Sequence, residues 1–518
     1  MKLSLYSIVM GVSVLGSLAC GNSSTQSQVS DGGSGTAAGS GGPGGSGSPG
    51  TNGTSGSSGL LIPPGSGGSS GSDSMTCDAG VCTCSGSDTT TIEGFVYDPA
   101  GKNPLYNVSV YVPDPGSPLP DLANVPLGCG CSQLYPKKVL AVGSPTDATG
   151  HFVIPCAPSG TVSLVVQTGK WRMQYDGIAV TAGQANMAPK LRLPANSSEG
   201  SLPNIAISTG GADSLECLPL RIGVAASEYV LGSATGGHIH IYTGYHGATM
   251  AQGSVASYQT LWDQQSHLNE HDVVLLSCEG QETTGGTPGV PMSSAFQTYL
   301  LDYANAGGRV FASHYHYAWF NTGPFGTGAN QLATWITGGQ QIDDTQSFPA
   351  DIDTTLASGA AFPEGSALMQ WLNLVGALTA NQLPIWFARN NVQALAQPQS
   401  TEWIHLDPSV SQAPSATQYF SADTPVGGAV CGRVVYSDLH VSGGPGTNAP
   451  GVAPDYPPMP GQGGRRGGRG GMQGGIVPSQ CAAHPLTPQE EALEFMLFDL
   501  SSCLVPIGQS PPLPPVVK

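Results

Sequence analysis

Two histidine pairs, His238-x-His240 and His314-x-His316, have their members one residue apart, and a fifth histidine follows an aspartate at the same spacing, Asp438-x-His440. Alternate side chains of an extended segment share a face, so both members of such a pair can reach one ion. Imidazole with carboxylate suits zinc or iron. His314, His316, Asp438 and His440 are therefore candidate ligands for a divalent metal such as zinc. Cys278-Glu279-Gly280 offers a different chemistry, with Cys278 as nucleophile, His314 as its base and Glu279 orienting the imidazole. Against both stands a plainer reading. Histidines set among aromatics, as in His314-Tyr315-His316-Tyr317-Ala318-Trp319-Phe320, serve as hydrogen-bonded packing residues, and a cysteine closing an apolar run behaves as a small buried hydrophobe.

Positioning these groups falls to a strand–helix–strand pattern that begins near Leu202. Asp272-Val273-Val274-Leu275-Leu276 is a continuous apolar run of the kind that becomes a parallel strand covered on both faces. Phe296, Tyr299, Leu300 and Tyr303 recur at helical spacing, and Gly307-Gly308 ends that helix before Arg309-Val310-Phe311-Ala312-Ser313 returns to strand. Cys431 to Ser437 reads as a late strand, and Thr487-Pro488-Gln489-Glu490 is a capping box opening a helix that buries Leu493, Met496, Leu497 and Leu500. The pattern predicts a doubly wound, flavodoxin-like α/β domain over residues 196–505, interrupted by a Gly/Pro-rich insertion at 443–480 and followed by a Pro-rich tail, 506–518. In such sheets ligands sit beyond the carboxyl ends of the strands, where Cys278, His314 and Asp438-x-His440 all fall. The Gly210-Gly211 turn, ahead of a short helix capped by Asp213, can receive an anion on its amides, although it lacks the glycine patterns of a nucleotide site.

Residues 89–195 instead alternate in period two. Gly94 to Asp98 and Val108 to Val112 are strand-like, with Asp98-Pro99-Ala100-Gly101 as a turn; Thr146 to Gly150 and Pro158-Ser159-Gly160 lead into further strands. The set Gly94-x-Val96-x-Asp98-x-x-Gly101-x-x-Pro104-Leu105-x-x-Val108-x-Val110, then Thr146-Asp147-x-x-Gly150-x-Phe152, resembles the carboxypeptidase-regulatory-like domain. That resemblance implies a transthyretin-like β-sandwich with an accessory rather than catalytic role. The long insert from Pro113 to Val142 departs from the family and carries Cys129 and Cys131; we read it as a loop pinned by local disulfides, with Cys156 as a candidate partner.

The first twenty residues pair Lys2 and an apolar run with Ser17-Leu18-Ala19-Cys20, which resembles the lipobox of a bacterial lipoprotein. The resemblance implies a cleaved signal (1–20) and a lipid on Cys20, hence export and anchoring to the envelope membrane. Residues 21–88, nearly all Gly, Ser, Thr, Asn and Pro, then form a disordered Gly/Ser-rich tether reaching about 40–50 Å. Twelve cysteines in an exported chain favour disulfides, for which Cys129, Cys131, Cys156, Cys431, Cys481 and Cys503 are the candidates. A net charge of -18 repels nucleic acid, so the Arg465 to Gly471 tract is a solvated loop and no nucleic-acid partner is expected.

A second resemblance rests on Asp272 to Leu276, on Tyr303-x-x-x-Gly307-Gly308-Arg309-Val310-Phe311-Ala312-Ser313-His314, and on Gly432 to Tyr436. These look like the class I glutamine-amidotransferase-like fold, in its trehalose-utilisation-protein-like branch. Members that hydrolyse glutamine carry a nucleophilic cysteine where this chain has Ser313-His314, so that reaction is not expected. Together these readings describe a multidomain chain, a β-sandwich followed by a doubly wound α/β domain. Its expected role is that of a non-catalytic binding or structural surface protein, with carbohydrate or an envelope protein as the partner. The alternative is a metal- or thiol-assisted hydrolase built on the strand-end His/Asp/Cys cluster.

Overall fold

The computed structural model describes residues 75–78, 81–84, 89–244, 247, 257–280, 282, 292–338, 342–343, 346–414, 416–441, 481 and 485–511. The proposed signal peptide, most of the tether, the 443–480 insertion and the end of the tail lie outside the described residues. No helix among the described residues is long and apolar enough to cross a membrane.

Strands β1 (Met75–Asp78) and β2 (Val81–Cys84) make a hairpin. The next nine, β3 (Thr91–Tyr97), β4 (Ser109–Pro113), β5 (Val139–Val142), β6 (His151–Pro155), β7 (Gly160–Thr168), β8 (Trp171–Val180), β9 (Ala185–Met187), β10 (Leu191–Arg192) and β11 (Gly200–Ser201), divide between two sheets. One sheet runs β10-β3-β6 with β9 also on β3; the other runs β11-β8-β7-β4-β5. Period-two alternation turns Ile92, Val96, Phe152 and Ile154 from the first sheet towards Val110, Val112, Leu164 and Val166 from the second, and all eight are buried. The Asp98 turn is present, with Gly101 N donating to the Asp98 carbonyl and φ of +69° at Gly101.

Strands β12 (Ile205–Thr209), β13 (Tyr229–Leu231), β14 (Ile239–Thr243), β15 (Val273–Leu276), β16 (Arg309–Ser313), β17 (Ala333–Trp335), β18 (Phe348–Ile352), β19 (Leu383–Ile385), β20 (Val392–Leu395), β21 (Thr401–Leu406), β22 (Thr417–Thr424) and β23 (Gly432–Ser437) follow. All but β17 and β20, which pair with each other, form one ten-stranded sheet ordered β13-β14-β12-β15-β16-β23-β22-β21-β18-β19. Pairs from β13 through β23 are parallel, whereas β22, β21, β18 and β19 add on antiparallel. The sheet is therefore mixed, and its antiparallel half was not foreseen in the sequence. Helices are α1 (Leu218–Arg221), α2 (Gln259–Trp262), α3 (Gln265–Leu268), α4 (Ser294–Asn305), α5 (Gly323–Gly326), α6 (Pro363–Val375) and α7 (Pro488–Ser501).

The parallel strands are buried on both faces because each face has its own cover. Ile205, Ile207, Val273, Leu275, Phe311 and Val435 enter one core with Leu493, Met496, Leu497 and Leu500 of α7. Their neighbours Ala206, Val274, Leu276, Val310, Ala312, Val434 and Tyr436 enter a second core with Trp262, Leu300 and Tyr303. The α7 capping box is formed, Thr487 accepting from Glu490 N while Glu490 reaches back to Thr487 N.

The first of these cores is continuous with that of the two small sheets. Trp371 Nε1 of α6 donates to the Pro104 carbonyl at 2.6 Å, Tyr106 stacks on Phe495, and Trp171 meets Phe498. Disulfides close the same junction, and here the expectation of local pairing is corrected. Cys129 bonds Cys431 and Cys131 bonds Cys503, while Cys481 bonds Cys217; Cys156 is also disulfide-bonded. The Pro113 to Val142 insert is thus fastened to the start of β23 and to the chain just after α7 rather than to itself, because it lies where the two parts meet: Gly128 touches the Gly307 turn after α4.

Candidate functional site: a cysteine and two histidines at adjoining strand ends

Strands β15, β16 and β23 are neighbours, so the residues just beyond their carboxyl ends converge. Cys278 follows β15, His314 follows β16 and His440 follows β23. Cys278 Sγ lies 3.4 Å from His314 Nδ1 and 3.5 Å from His440 Nε2, and the two nitrogens are 3.0 Å apart. All three side chains are buried, Cys278 completely.

The backbone at His314 accounts for this placement. Its φ of +38° lies in the left-handed region, a costly conformation for a non-glycine residue, and it turns the chain sharply from β16 into a 3-10 helix at His314–Trp319. Tyr436 from β23 donates its hydroxyl to the His314 carbonyl at 2.8 Å, holding the turn. Gly210 lets the neighbouring chain pass, since a Cβ there would stand 2.0 Å from the Cys278 carbonyl oxygen. That carbonyl accepts from Ala212 N and Asp213 N. The two amides that follow the Gly210-Gly211 turn are thereby occupied, and the cap of the helical turn is Ser214, not Asp213. Asp213 instead accepts from the Ser313 hydroxyl and from Val441 N.

His314 Nε2 donates to Asn391 Oδ1 at 3.1 Å, and the Asn391 amide is oriented by its own donations to the Ile336 and Gly338 carbonyls. With Nε2 carrying the proton, Nδ1 presents its lone pair to the sulfur and to His440. Asn391 was not singled out in the sequence, where an Asn390-Asn391 pair between two short strands carries no chemical signature. It occupies the place we assigned to Glu279, whose carboxylate lies beside the Gly244 turn after β14.

Two further candidate ligands lie outside the cluster. Once His314–Trp319 is a 3-10 helix, His314 and His316 no longer share a face. His316 donates from Nε2 to the Ser277 carbonyl at 2.8 Å and accepts from Trp319 Nε1 at 3.2 Å, so both ring nitrogens are engaged. Asp438 accepts from Val392 N and contacts the Tyr436 hydroxyl. The pair on β14 also divides. His238 Nδ1 meets Glu228, and His240 Nδ1 meets the Gly232 carbonyl, its ring packed on His271.

Burial dominates the electrostatics. The Cys278 thiol is pushed up to about 12, by desolvation first and then by Asp213. Desolvation, with Arg389 adding to it, drives both His314 and His440 well below the ordinary histidine range. A sealed thiol beside neutral imidazoles is a poor nucleophile, but neutral imidazole is the form that binds metals. The geometry fits an ion as well. Metal–donor bonds of about 2.0–2.3 Å put donor atoms about 3.3–3.8 Å apart in trigonal or tetrahedral complexes; the two sulfur–nitrogen spacings fall in that range, while the nitrogens, 3.0 Å apart and hydrogen-bonded to each other, would have to separate by a few tenths of an ångström. Among the described residues, no fourth His, Cys, Asp or Glu joins the group.

No family model matches the chain, and no curated protein is significantly similar to it. Among solved structures, a cohesin–X-dockerin complex from Acetivibrio cellulolyticus is 14% identical and matches 29% of this chain and 88% of its own, with a TM-score of 0.16. A cytoplasmic protein from Salmonella typhimurium is 12% identical over 48% of this chain and 91% of its own, with a TM-score of 0.26. At these scores neither likeness assigns a fold or a role.

Proposed function

We propose that the protein is an exported, lipid-anchored envelope protein whose flavodoxin-like α/β domain binds a metal ion through Cys278, His314 and His440, in a binding rather than hydrolytic role. The observation that carries the reading is the meeting of one sulfur and two imidazole nitrogens within 3.5 Å of one another at three adjoining strand ends. With the three-residue edge strand β13 set aside, the order β14-β12-β15-β16-β23 supports the flavodoxin-like assignment, being the 2-1-3-4-5 order of that doubly wound class. The lipobox-like Cys20 supports the anchor, and disulfide-bonded cysteines suit an oxidising compartment. A cell-surface carbohydrate or envelope protein remains the partner class we propose.

Metal analysis of the full chain purified without an affinity tag tests the metal reading. One equivalent of a transition metal, lost in His440→Ala, is the expected result; a metal-free protein that takes up none on addition overturns it. Detergent-phase partitioning of the wild type, abolished in Cys20→Ser, tests the anchor.

A second reading draws on the file Cys278, His314, Asn391, which has the donor order of a thiol hydrolase at 3.4 and 3.1 Å. The closed sulfur weighs against it. Rapid alkylation of Cys278 by iodoacetamide in the native protein would restore that mechanism.

A further inference from the structure

We propose a second metal site, separate from the Cys278 group, in which His405 Nδ1, Asp353 Oδ2 and Glu402 Oε2 bind a zinc-like divalent ion on the antiparallel half of the large sheet. Strands β18 and β21 build it. Asp351 stands directly opposite His405 in their pairing, and Asp353, just past the end of β18, donates its N–H to the Trp403 carbonyl. Glu402 and His405 are three residues apart, so strict alternation would send them to opposite faces of the strand. Register irregularities on either side of Ile404 prevent that. Trp403 and Ile404 are both buried, while Glu402 and His405 stay half-buried with Glu402 Oε2 only 3.9 Å from His405 Nδ1.

Asp353 Oδ2 lies 3.2 Å from the same nitrogen, and one donor atom from each of the three residues lies within 4.8 Å of the others. Zinc bonds of about 2.0–2.2 Å set nitrogen and oxygen donors about 3.3–3.6 Å apart at tetrahedral angles. Asp353 is thus almost in place, and Glu402 has a few tenths of an ångström to close. The carboxylates are aimed from outside the group by uncharged donors. The Thr417 hydroxyl donates to Glu402 Oε1 and leaves Oε2 to the centre, and Gln382 Nε2 donates to Asp351 Oδ1 at 2.9 Å and leaves Oδ2 facing His405 Nε2 at 3.9 Å. With Nδ1 on the ion, Asp351 stands where a carboxylate commonly backs a ligating histidine. Three carboxylates therefore surround one imidazole, and among the described residues no lysine or arginine pairs with any of them. A divalent cation relieves that repulsion. The imidazole nitrogen selects a zinc-like ion over calcium or magnesium, which take oxygen donors.

The test uses the full chain with Co(II) as a spectroscopic substitute for Zn(II), binding being counted by equilibrium dialysis. Because its donors are half-exposed, the site loads from added metal, over and above the equivalent expected at Cys278. Cobalt bound here has no sulfur neighbour and gives no sulfur-to-cobalt band in the near ultraviolet, whereas cobalt at Cys278 gives one. The expected result is an equivalent bound without that band and displaced by Zn(II). Losing an outer partner weakens a metal site about 10–100-fold, so losing a ligand, in His405→Ala or Asp353→Asn, should weaken this equivalent at least about a hundredfold with circular dichroism unchanged. Failure of the wild type to bind any cobalt beyond a sulfur-bound equivalent, or unchanged affinity in both variants, overturns the site and leaves these groups as ion pairs only. Absence of the sulfur band with the sulfur-free equivalent retained overturns the Cys278 reading and leaves this site standing. The wild-type count and spectrum need no variant, so the proposal stays open to refutation even if a substitution prevents folding.

Discussion

The ring of His314 is held from behind by Asn391, whose Oδ1 accepts the Nε2 proton at 3.1 Å and so aims Nδ1 at the sulfur of Cys278. Partners of this kind fix the tautomer and orientation of a ligating histidine, and losing one typically weakens a metal site about 10–100-fold. Asn391→Ala should therefore lower metal affinity by about that factor, with Asn391→Asp restoring most of it. A competition titration with a chromophoric chelator measures both. Equal affinities for wild type and Asn391→Ala would remove Asn391 from the site.

Gly210 touches the same assembly through the backbone. An added methyl at this position collides with the carbonyl oxygens of Ser277 and Cys278, neither of which can move without the end of β15. Gly210→Ala should cost about 2 kcal/mol or more and weaken metal binding in the same variant. Urea unfolding alongside the chelator titration checks the pairing of effects; a lowered midpoint with unchanged affinity would separate Gly210 from the site.

Glu364, near the start of α6, is buried and its carboxyl is raised to about 7, by desolvation first. The folded protein keeps this proton while the unfolded chain, with an ordinary value near 4.5, has released it. Its contribution to stability is thus present below about pH 4.5 and declines as pH rises towards 7. Glu364→Gln should leave stability little changed at pH 5 and raise it by about 1–3 kcal/mol at pH 8. Unfolding curves at the two pH values provide the test, and a gain of the same size at both would refute the assignment.

Trp371 is buried where α6 meets the two smaller sheets, and its indole proton is donated to Pro104. Trp371→Ala should destabilise by about 3–5 kcal/mol. Because the core is shared, the loss should appear as a shift of one cooperative transition reported equally by far-ultraviolet circular dichroism and tryptophan fluorescence. Two separated transitions would show instead that the smaller sheets unfold by themselves.

Much of the fold could be read from local pattern. The run at Val273–Leu276, the helical spacing of Leu300 and Tyr303 and the Thr487 capping box all fell where such signals place them. Residues 333–424 gave no comparable signal. Their strands pair antiparallel, mostly over few residues, and take their burial from partners distant in sequence, so β18 through β22 and helix α6 went unread. At the site, spacing identified the strand ends but not the donors. His314-x-His316 qualifies as a pair only if extended, and the left-handed turn at His314 is a tertiary effect held by Tyr436. Asn391 lies 77 residues beyond His314, and nothing about its neighbours in the chain marks it.

The three long-range cystines have a topological consequence. The spans Cys129 to Cys431, Cys131 to Cys503 and Cys217 to Cys481 overlap, so every peptide bond from 129 to 503 lies inside at least one covalently closed loop. A protease that nicks the chain once anywhere in that interval leaves a product of unchanged size on a non-reducing gel, which separates into two fragments only when the sulfurs are reduced.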